Sequence, residues 1–539
     1  MLQLQLLKLH VLVIQLLLFG SILAPLASGQ RHPPASNSAA RACSDLQRQL
    51  GTTIIQTSSG AEYRNISSGA WNRHNALAQP ACIALPTSAA DVQAVQKSIF
   101  RYGVRYAVQA GGHSAGAGWS SVDGGILISF SYMKSISYDS ARDLVTLQPG
   151  IRWGETLDPL EPFGIAIMGG RLPDVGTGLL LGGGLSYLSA GHGFSVDALV
   201  EADVVLVNGD LVTATATNRY SDLFKALKGG ANRFGIVTRY VLKPVHVGRR
   251  ADKAFYGGTI FYDNSTSEAL LKATANFINN VNDPKASIFT VLSISLTNNT
   301  IFPINFATFF YHGTSPPPAI YGEFLALPNL GSSVGLYSYV EAMNLVGTGR
   351  EGSGQGQMFG ASAFGSVDYE TQLGRSGSGS DPYARYFKAY GDFVKYGEKV
   401  LGNPSAPGAG SGGIDDPAKD GVEFSLLAFT SVQKSQVLAG RTSGGGNIID
   451  PPLTNYNLVQ FHTQMPPGQD GVPNRVRDAR KELLNKLTPS PGLPLYIGEC
   501  DKSQNVFSTY GGYNQLKRTY NKYDPTRFNI RYTDGPLGL

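Results

Sequence analysis

The sequence predicts an α+β protein of two units, one alternating short helices and strands and one built on a large antiparallel sheet covered by helices. Three observations predict it. From about residue 80 to residue 245, helical and strand-like patterns take turns. From about Lys253 the period changes, with longer apolar/polar alternations at 287–296 and 304–311 that suit a sheet with one covered face. Glycine reaches 65 of 539 residues against 15% charged residues, a composition of tight turns and close backbone approaches. A chain of this length exceeds one ordinary domain, and 42% hydrophobic residues supply a sizeable core.

Pro86-Thr87-Ser88 opens a helix, with Asp91 in its first turn and Val92, Val95 and Ile99 at helical spacing; Gly103 ends it. Strands follow at 104–108, 125–130 and 144–147. Residues 204–207 and 211–214 flank Asn208-Gly209, the signal of a hairpin with a type I′ turn. A short helix at 222–228 and a strand at 236–242 close this block. Farther on, the Gly/Ser-rich stretches 347–380 and 402–413 are expected to be loops, and 383–400 a helix through Tyr386, Phe387, Tyr390 and Phe393.

The beginning of the chain has the pattern of an export signal: Lys8, an apolar run at 11–23, then Ala27, Ser28 and Gly29. Secretion is the expectation, with the signal at 1–29 removed and no later stretch apolar enough to span a bilayer. Asn65, Asn264 and Asn298 head N-glycosylation triplets. Of three cysteines, Cys43 and Cys82 are the expected disulfide because both lie early, leaving Cys500 as a buried thiol. No Cys/His cluster has metal-ligand spacing. The net charge of +5, or +4 without Lys8, is too mild and scattered for nucleic acid.

Val108-Gln-Ala-Gly111-Gly112-His113-Ser114-Ala-Gly116 carries the chemistry. A strand ends, and glycines let main-chain N–H groups approach a pyrophosphate without Cβ obstruction. A second glycine cluster runs Val175-Gly176-Thr177-Gly178, then Gly182-Gly183-Gly184. It is not a Rossmann loop: Leu181 stands where a third glycine belongs, and no ribose-binding acid follows in a strand–helix unit.

These elements, in this order, resemble the berberine-bridge-enzyme-like FAD-linked oxidases of the vanillyl-alcohol-oxidase/p-cresol-methylhydroxylase superfamily. The resemblance includes Val145-Thr-Leu-Gln-Pro149-Gly150 with Trp153, Asp197, Asn208-Gly209, residues 222–230 and Phe234-Gly235-Ile236-Val237-Thr238. Near the end, Tyr513-Asn-Gln-Leu516-Lys517 and residues 522–528 belong to it too, so that it covers roughly 75–245 and 495–530. It implies a two-part p-cresol-methylhydroxylase-type FAD-binding domain at 30–250 with a core at 77–247. A substrate domain at 251–485 and a terminal segment at 486–539 returning to the FAD domain complete the organisation.

By the same resemblance, FAD is held by Gly111, Gly112, His113, Ser114, Gly116, Val175, Gly176, Gly178, Gly182, Gly183, Gly184, Asp197, Gly235, Ile236 and Val237. His113 is the covalent link to the flavin, which raises its redox potential. Leu172 occupies the place of a second, cysteine link in some members, so attachment is single. Where several members carry a tyrosine base in a Tyr-x-Asn-Tyr segment, this chain reads Tyr496-Ile497-Gly498-Glu499. Glu499 is then a candidate base beside Tyr496, or a salt-bridged surface residue. A strand with Tyr456, Leu458, Gln460 and His462 on alternate positions offers Tyr456 and His462 as further catalytic candidates, with structural hydrogen bonding the plainer role for His462.

The expected activity is an oxidase: hydride from a small sugar, alcohol or secondary metabolite passes to FAD, and dioxygen takes the electrons to give hydrogen peroxide. A flavin dehydrogenase or oxidative cyclase, and a catalytically decayed flavoprotein shell, are the alternatives. The small-molecule substrate and O2 are the expected partners. Neither nucleic acid nor, after signal cleavage, membrane is among them, and the oligomeric state is open.

Overall fold

The structure is a computed structural model that describes residues 37–297, 300–375, 381–401 and 421–539. The expected signal at 1–29, the triplet asparagine Asn298 and the stretch 402–413 lie outside them.

Helix Ala89–Tyr102 forms where its signals sit. The Ser88 side chain accepts from the Asp91 N–H, the Asp91 side chain accepts in return, and Gly103 closes the helix in the left-handed region at φ 60°. Its buried Val92, Val95 and Ile99 pack on a four-stranded sheet. The order there is Ile55–Gln56, Cys82–Ala84, Ile126–Ser129, Tyr106–Gln109, and the last three strands run parallel. A five-stranded antiparallel sheet follows, ordered Ile136–Asp139, Leu144–Leu147, Ile236–Leu242, Leu199–Val205, Leu211–Thr215.

The hairpin at 199–215 departs from expectation in its turn. Gly209 has φ 86°, but Asn208 does not adopt positive φ, and the Gly209 N–H bonds the Leu206 carbonyl. Val207 and Asn208 thus form an ordinary turn, and Gly209 takes the left-handed position of a three-residue loop rather than the two-residue type I′ turn. A one-residue difference in loop length selects between these, and the dipeptide alone does not carry it.

From Phe255 the chain builds an eight-stranded antiparallel sheet. Seven strands run in the order Gly331–Ser332, Phe255–Tyr262, Thr300–His312, Ala286–Thr297, Phe424–Val432, Tyr456–Gln464, Gln357–Gly365, and Gly335–Tyr337 also pairs with Phe255–Tyr262. Helices Ala384–Val400 and Asn474–Lys486 cover one face, where Leu292, Phe429, Val459 and Phe461 meet Tyr386, Phe393, Val476 and Leu483. The other face turns to the first unit, and Ala361, Ala363, Tyr456 and Leu458 join its core.

Strand Gln357–Gly365 and helix Val367–Gln372 correct the expectation of a loop across 347–380. The strand is small-sided because helix Asn474–Lys486 lies close: a Cβ on Gly360 would stand 2.3 Å from a Leu484 methyl. Close helix–sheet packing thus produced the composition that resembles a linker.

After residue 495 the chain returns to the first unit. Lys522 and Tyr523 bond Asp222 at 2.6 and 2.8 Å, and the Asn529 amide donates to the Arg233 carbonyl at 3.0 Å. No described helix is long and apolar enough to cross a membrane.

A disulfide joins Cys43 on the helix Asn37–Leu50 to Cys82 on the four-stranded sheet, and Cys500 is a buried free thiol. The crosslink closes a loop of 39 residues, for which chain entropy gives stabilisation of about 4 kcal/mol. Replacing both cysteines by alanine is expected to lower the Tm of the full chain by several degrees in a thermal scan. An unchanged Tm contradicts this assignment.

Candidate active site

Two backbone turns cross at the centre of the molecule. A Cβ on Gly111 would stand 2.7 Å from the Gly176 nitrogen, and one on Gly176 only 2.4 Å from the Gly111 nitrogen. Neither position admits a side chain, so the two expected glycine clusters meet backbone on backbone. Arg152 pins the crossing: Nη2 donates to the Gly111 carbonyl at 2.8 Å, and Nη1 pairs with Asp174. Gly112 has φ 74°, while Gly183 and Gly184 have φ 105° and 80°. Gly178 opens on free space, with nothing within 4 Å of where its Cβ would be.

The loop 113–118 is clamped by a segment that sequence reasoning missed. Asn75 donates to the carbonyls of Ser114 (3.0 Å) and Gly116 (3.1 Å) and accepts from the Gly118 N–H at 2.8 Å. Asn72 donates to the Ala115 carbonyl at 2.7 Å. Both asparagines are fully buried, which obliges them to find such partners. Their spacing around one short helical turn, Arg73–Ala76, was the available signal.

His113 lies flat on Trp71, with ring centroids 4.2 Å apart and planes 12° from parallel. Its Nε2 is 2.6 Å from the Gly349 carbonyl. Since a carbonyl only accepts, Nε2 carries the proton and the lone pair of the neutral ring is on Nδ1. Burial holds the imidazole pKa below its ordinary value, which keeps the ring neutral. Gly349 is also packed against Leu172 and Asp174, so His113 and Leu172 come together at one glycine.

Glu499 is buried and is no surface ion pair. Arg171 reaches its carboxylate at 3.4 Å, donates to Thr430 Oγ1 at 3.1 Å, and lies over the Phe289 ring at 4.5 Å. Burial pushes the Glu499 pKa up against the opposing pull of Arg171. Tyr496 is buried beside the glycine segment, and burial raises its phenol pKa far above the ordinary value. Gly498 is glycine because the Tyr496 ring folds over it, 2.8 Å from where a Cβ would be. Ile497 packs in the same way on Gly182.

Tyr456, Leu458, Gln460 and His462 do share one face of a strand, as alternation predicts. Tyr456 is fully buried with its hydroxyl unpartnered, in the same core as Tyr496. His462 is hydrogen-bonded within the strand pair: Nε2 is 2.6 Å from Gln357 Oε1, and Gln357 in turn donates to the Gly352 carbonyl at 2.7 Å. Burial and Arg480 push the His462 pKa down to about 3, so the ring is neutral.

Asp197, expected at the cofactor, is buried with its carboxylate held by protein groups. It accepts from the Phe194 N–H at 2.9 Å and from Asn447 at 3.0 Å, and it faces Lys228 Nζ at 3.6 Å. Gly235, Ile236 and Val237 lie at the start of a central strand, where Gly235 lets the backbone pass the Val205 carbonyl, 2.6 Å from where a Cβ would be. No group of three or more metal-binding side chains occurs among the described residues.

A family profile described as an FAD binding domain matches residues 80–215. A protein of Arthroderma benhamiae described as an uncharacterised FAD-linked oxidoreductase is 32% identical over 469 residues, 84% of this chain and 85% of its own. An FAD-dependent monooxygenase of Arthrobotrys oligospora is 35% identical over 253 residues, 47% of each chain. Among solved structures, the fold is similar to carbohydrate oxidase from Microdochium nivale, with TM-score 0.69, 18% identity and coverage of 93% of this chain and 100% of that one. It is similar also to the BBE-like 1 protein of Physcomitrella patens, with TM-score 0.68, 18% identity and coverage of 92% and 99%. The length of the first match, the FAD-binding profile and these folds together establish that the chain belongs to the FAD-linked oxidoreductases and has the berberine-bridge-enzyme-like fold.

Proposed function

We propose that this protein is a secreted oxidase that takes a hydride from a small sugar, alcohol or secondary metabolite and carries FAD covalently on His113. The observation that supports this most is the imidazole itself: neutral, held flat by Trp71, its Nε2 proton committed to a carbonyl, which leaves the ring lone pair on Nδ1. A neutral ring nitrogen with an available lone pair is the nucleophile that attachment at the flavin edge requires. Leu172 beside it supplies no sulfur, which fits a single link.

The residues present suit the cofactor. Gly111 and Gly176 bring the two glycine-rich turns together at the crossing, and Gly178 beside it opens on free space, where N–H groups can meet a pyrophosphate. FAD bound there would supply a two-electron acceptor for a substrate C–H hydride, with dioxygen as the terminal acceptor in this reading. Glu499 takes the substrate hydroxyl proton, and Arg171 holds that carboxylate in place. Tyr496 stays a neutral phenol at working pH, which leaves the proton to Glu499. The sheet face opposite, with half-buried Phe289, Phe306 and Gln460, is the wall against which substrate rests. The disulfide suits an oxidising compartment, where dioxygen is the available acceptor, and Asn65 and Asn264 are exposed for glycans.

In His113→Ala, the flavin is expected to be released on acid precipitation, while the wild-type colour stays with the protein. Acid-stable flavin in the variant refutes the linkage. Glu499→Gln is expected to slow anaerobic flavin reduction about 10²–10⁴-fold with little change in substrate affinity. Because burial raises the Glu499 pKa, wild-type reduction rises with pH through a value above the ordinary carboxylate range, as the base loses its proton. That limb disappears in Glu499→Gln. Unchanged reduction kinetics eliminate Glu499 as the base.

A further inference from the structure

The histidine of the first unit is oriented by a turn of the second. Residues 347–352 precede the strand Gln357–Gly365 and fold against Leu172, Asp174 and His113. The Gly349 carbonyl in this turn is the group 2.6 Å from His113 Nε2. Gly349 has φ 90°, where a side chain is strained, and a Cβ there would stand 3.1 Å from Leu172.

Glu351 builds the turn. One of its carboxylate oxygens accepts from the Thr348 N–H and the Thr348 hydroxyl, each at 2.9 Å, and the other accepts from the Gly349 N–H at 2.7 Å. Burial pushes the Glu351 pKa up, but these bonds hold it below the ordinary value, so the group is an acceptor only. The main-chain carbonyl of Glu351 accepts from the Trp71 indole N–H at 3.0 Å, and the Trp71 ring lies flat on the imidazole. Glu351 thus fixes two contacts of His113: the carbonyl at its Nε2 through the side chain, and the ring on its face through the main chain.

The turn is anchored to the glycine crossing as well. The Asp174 N–H donates to the Thr348 carbonyl at 2.9 Å, and Arg350 Nε pairs with the Asp174 carboxylate at 3.1 Å. Asp174 also pairs with Arg152, which holds the Gly111 carbonyl. One bonded path therefore runs from the crossing through the turn to the imidazole. Without the carbonyl on Nε2, the ring can rotate about its Cβ–Cγ bond or carry its proton on Nδ1. In either state no nitrogen lone pair stands where Nδ1 now holds it.

We propose that Glu351 is a positioning residue for flavin attachment: it holds the Gly349 carbonyl on Nε2, which keeps the ring lone pair on Nδ1, so His113 becomes a competent nucleophile only once the second unit has docked. The inference rests on the covalent reading given above. In the attachment, the Nδ1 lone pair forms a bond to the methyl carbon at the flavin edge, and that carbon gives up a proton. The Nε2 proton leaves after the bond is made. The two electrons that enter the flavin pass, with two protons, to dioxygen, which leaves as hydrogen peroxide.

Glu351→Gln keeps the size of the side chain but replaces one acceptor oxygen with an amide N–H group. Thr348→Val removes one donor from an exposed position of the turn. The full flavin-loaded wild type and both variants are compared for total flavin per chain, for Tm, and for the ratio of acid-stable to acid-released flavin. Total flavin and Tm are expected to stay near wild type. The ratio is expected to fall about tenfold in Glu351→Gln, as for the loss of one hydrogen bond, and by a smaller factor in Thr348→Val. A wild-type ratio in folded Glu351→Gln overturns the inference and leaves the covalent reading standing. A ratio that falls only in step with total flavin and Tm marks a structural role and overturns it too. Should Glu351→Gln fail to fold, a wild-type ratio in Thr348→Val overturns it. Wild-type protein whose flavin is wholly released by acid removes the covalent reading and the inference together.

Discussion

The constraint on which the rest depends is the backbone crossing of Gly111 and Gly176. Gly111 follows the strand Tyr106–Gln109 of the four-stranded sheet, and Gly176 follows the chain that leaves the five-stranded sheet at Leu147. Only where both residues lack a Cβ can these two parts approach closely enough to share one site. Arg152 then secures the contact through the Gly111 carbonyl and Asp174. His113 stands two residues beyond the crossing on one side, and Leu172 four residues before it on the other. Their meeting at Gly349 is therefore a consequence of the crossing and not a separate coincidence.

The large sheet is fastened to this centre by buried polar contacts as well as by packing. The Asp197–Lys228 pair is fully enclosed, and the segment at 440–447 closes over it: Gly440 leaves room for the carboxylate and Gly444 for the Asp197 backbone, and Lys228 donates to the Gly444 carbonyl at 2.6 Å. Burial brings the Lys228 pKa down to about 8 even beside its partner. Such a pair adds little net stability, yet breaking it strands a charge, and Asn447 and the Gly444 carbonyl from the second unit bond its two partners, which ties that unit to the first. The terminal stretch does the same from the other side, as Ile497 and Tyr496 fill the space left by Gly182 and Gly183.

Much of this was legible in the residues. The capped helix after Ser88, the parallel strands around it and the long alternating strands carried their own periodicity, and the glycine clusters marked where backbone must meet backbone. Cys43 and Cys82 paired as their early positions suggested. What escaped reading was set by tertiary contact. Strand Gln357–Gly365 looked like a linker because Leu484 demands a glycine beside it, and Asn72 and Asn75 looked unremarkable because their partners are carbonyls forty residues away. Asp197 entered by resemblance alone, and its buried partners Lys228 and Asn447 are ones that sequence spacing does not connect. Arg171 was invisible for the same reason: Glu499, Thr430 and Phe289 come from three distant parts of the chain.

The crossing is tested most directly by adding one methyl group to it. In Gly176→Ala, measured for flavin content per chain and for Tm beside the wild type, the new Cβ would sit 2.4 Å from the Gly111 nitrogen. The account predicts a folded protein with a lowered Tm that has lost most of its flavin. A variant with wild-type flavin content and wild-type Tm would contradict it.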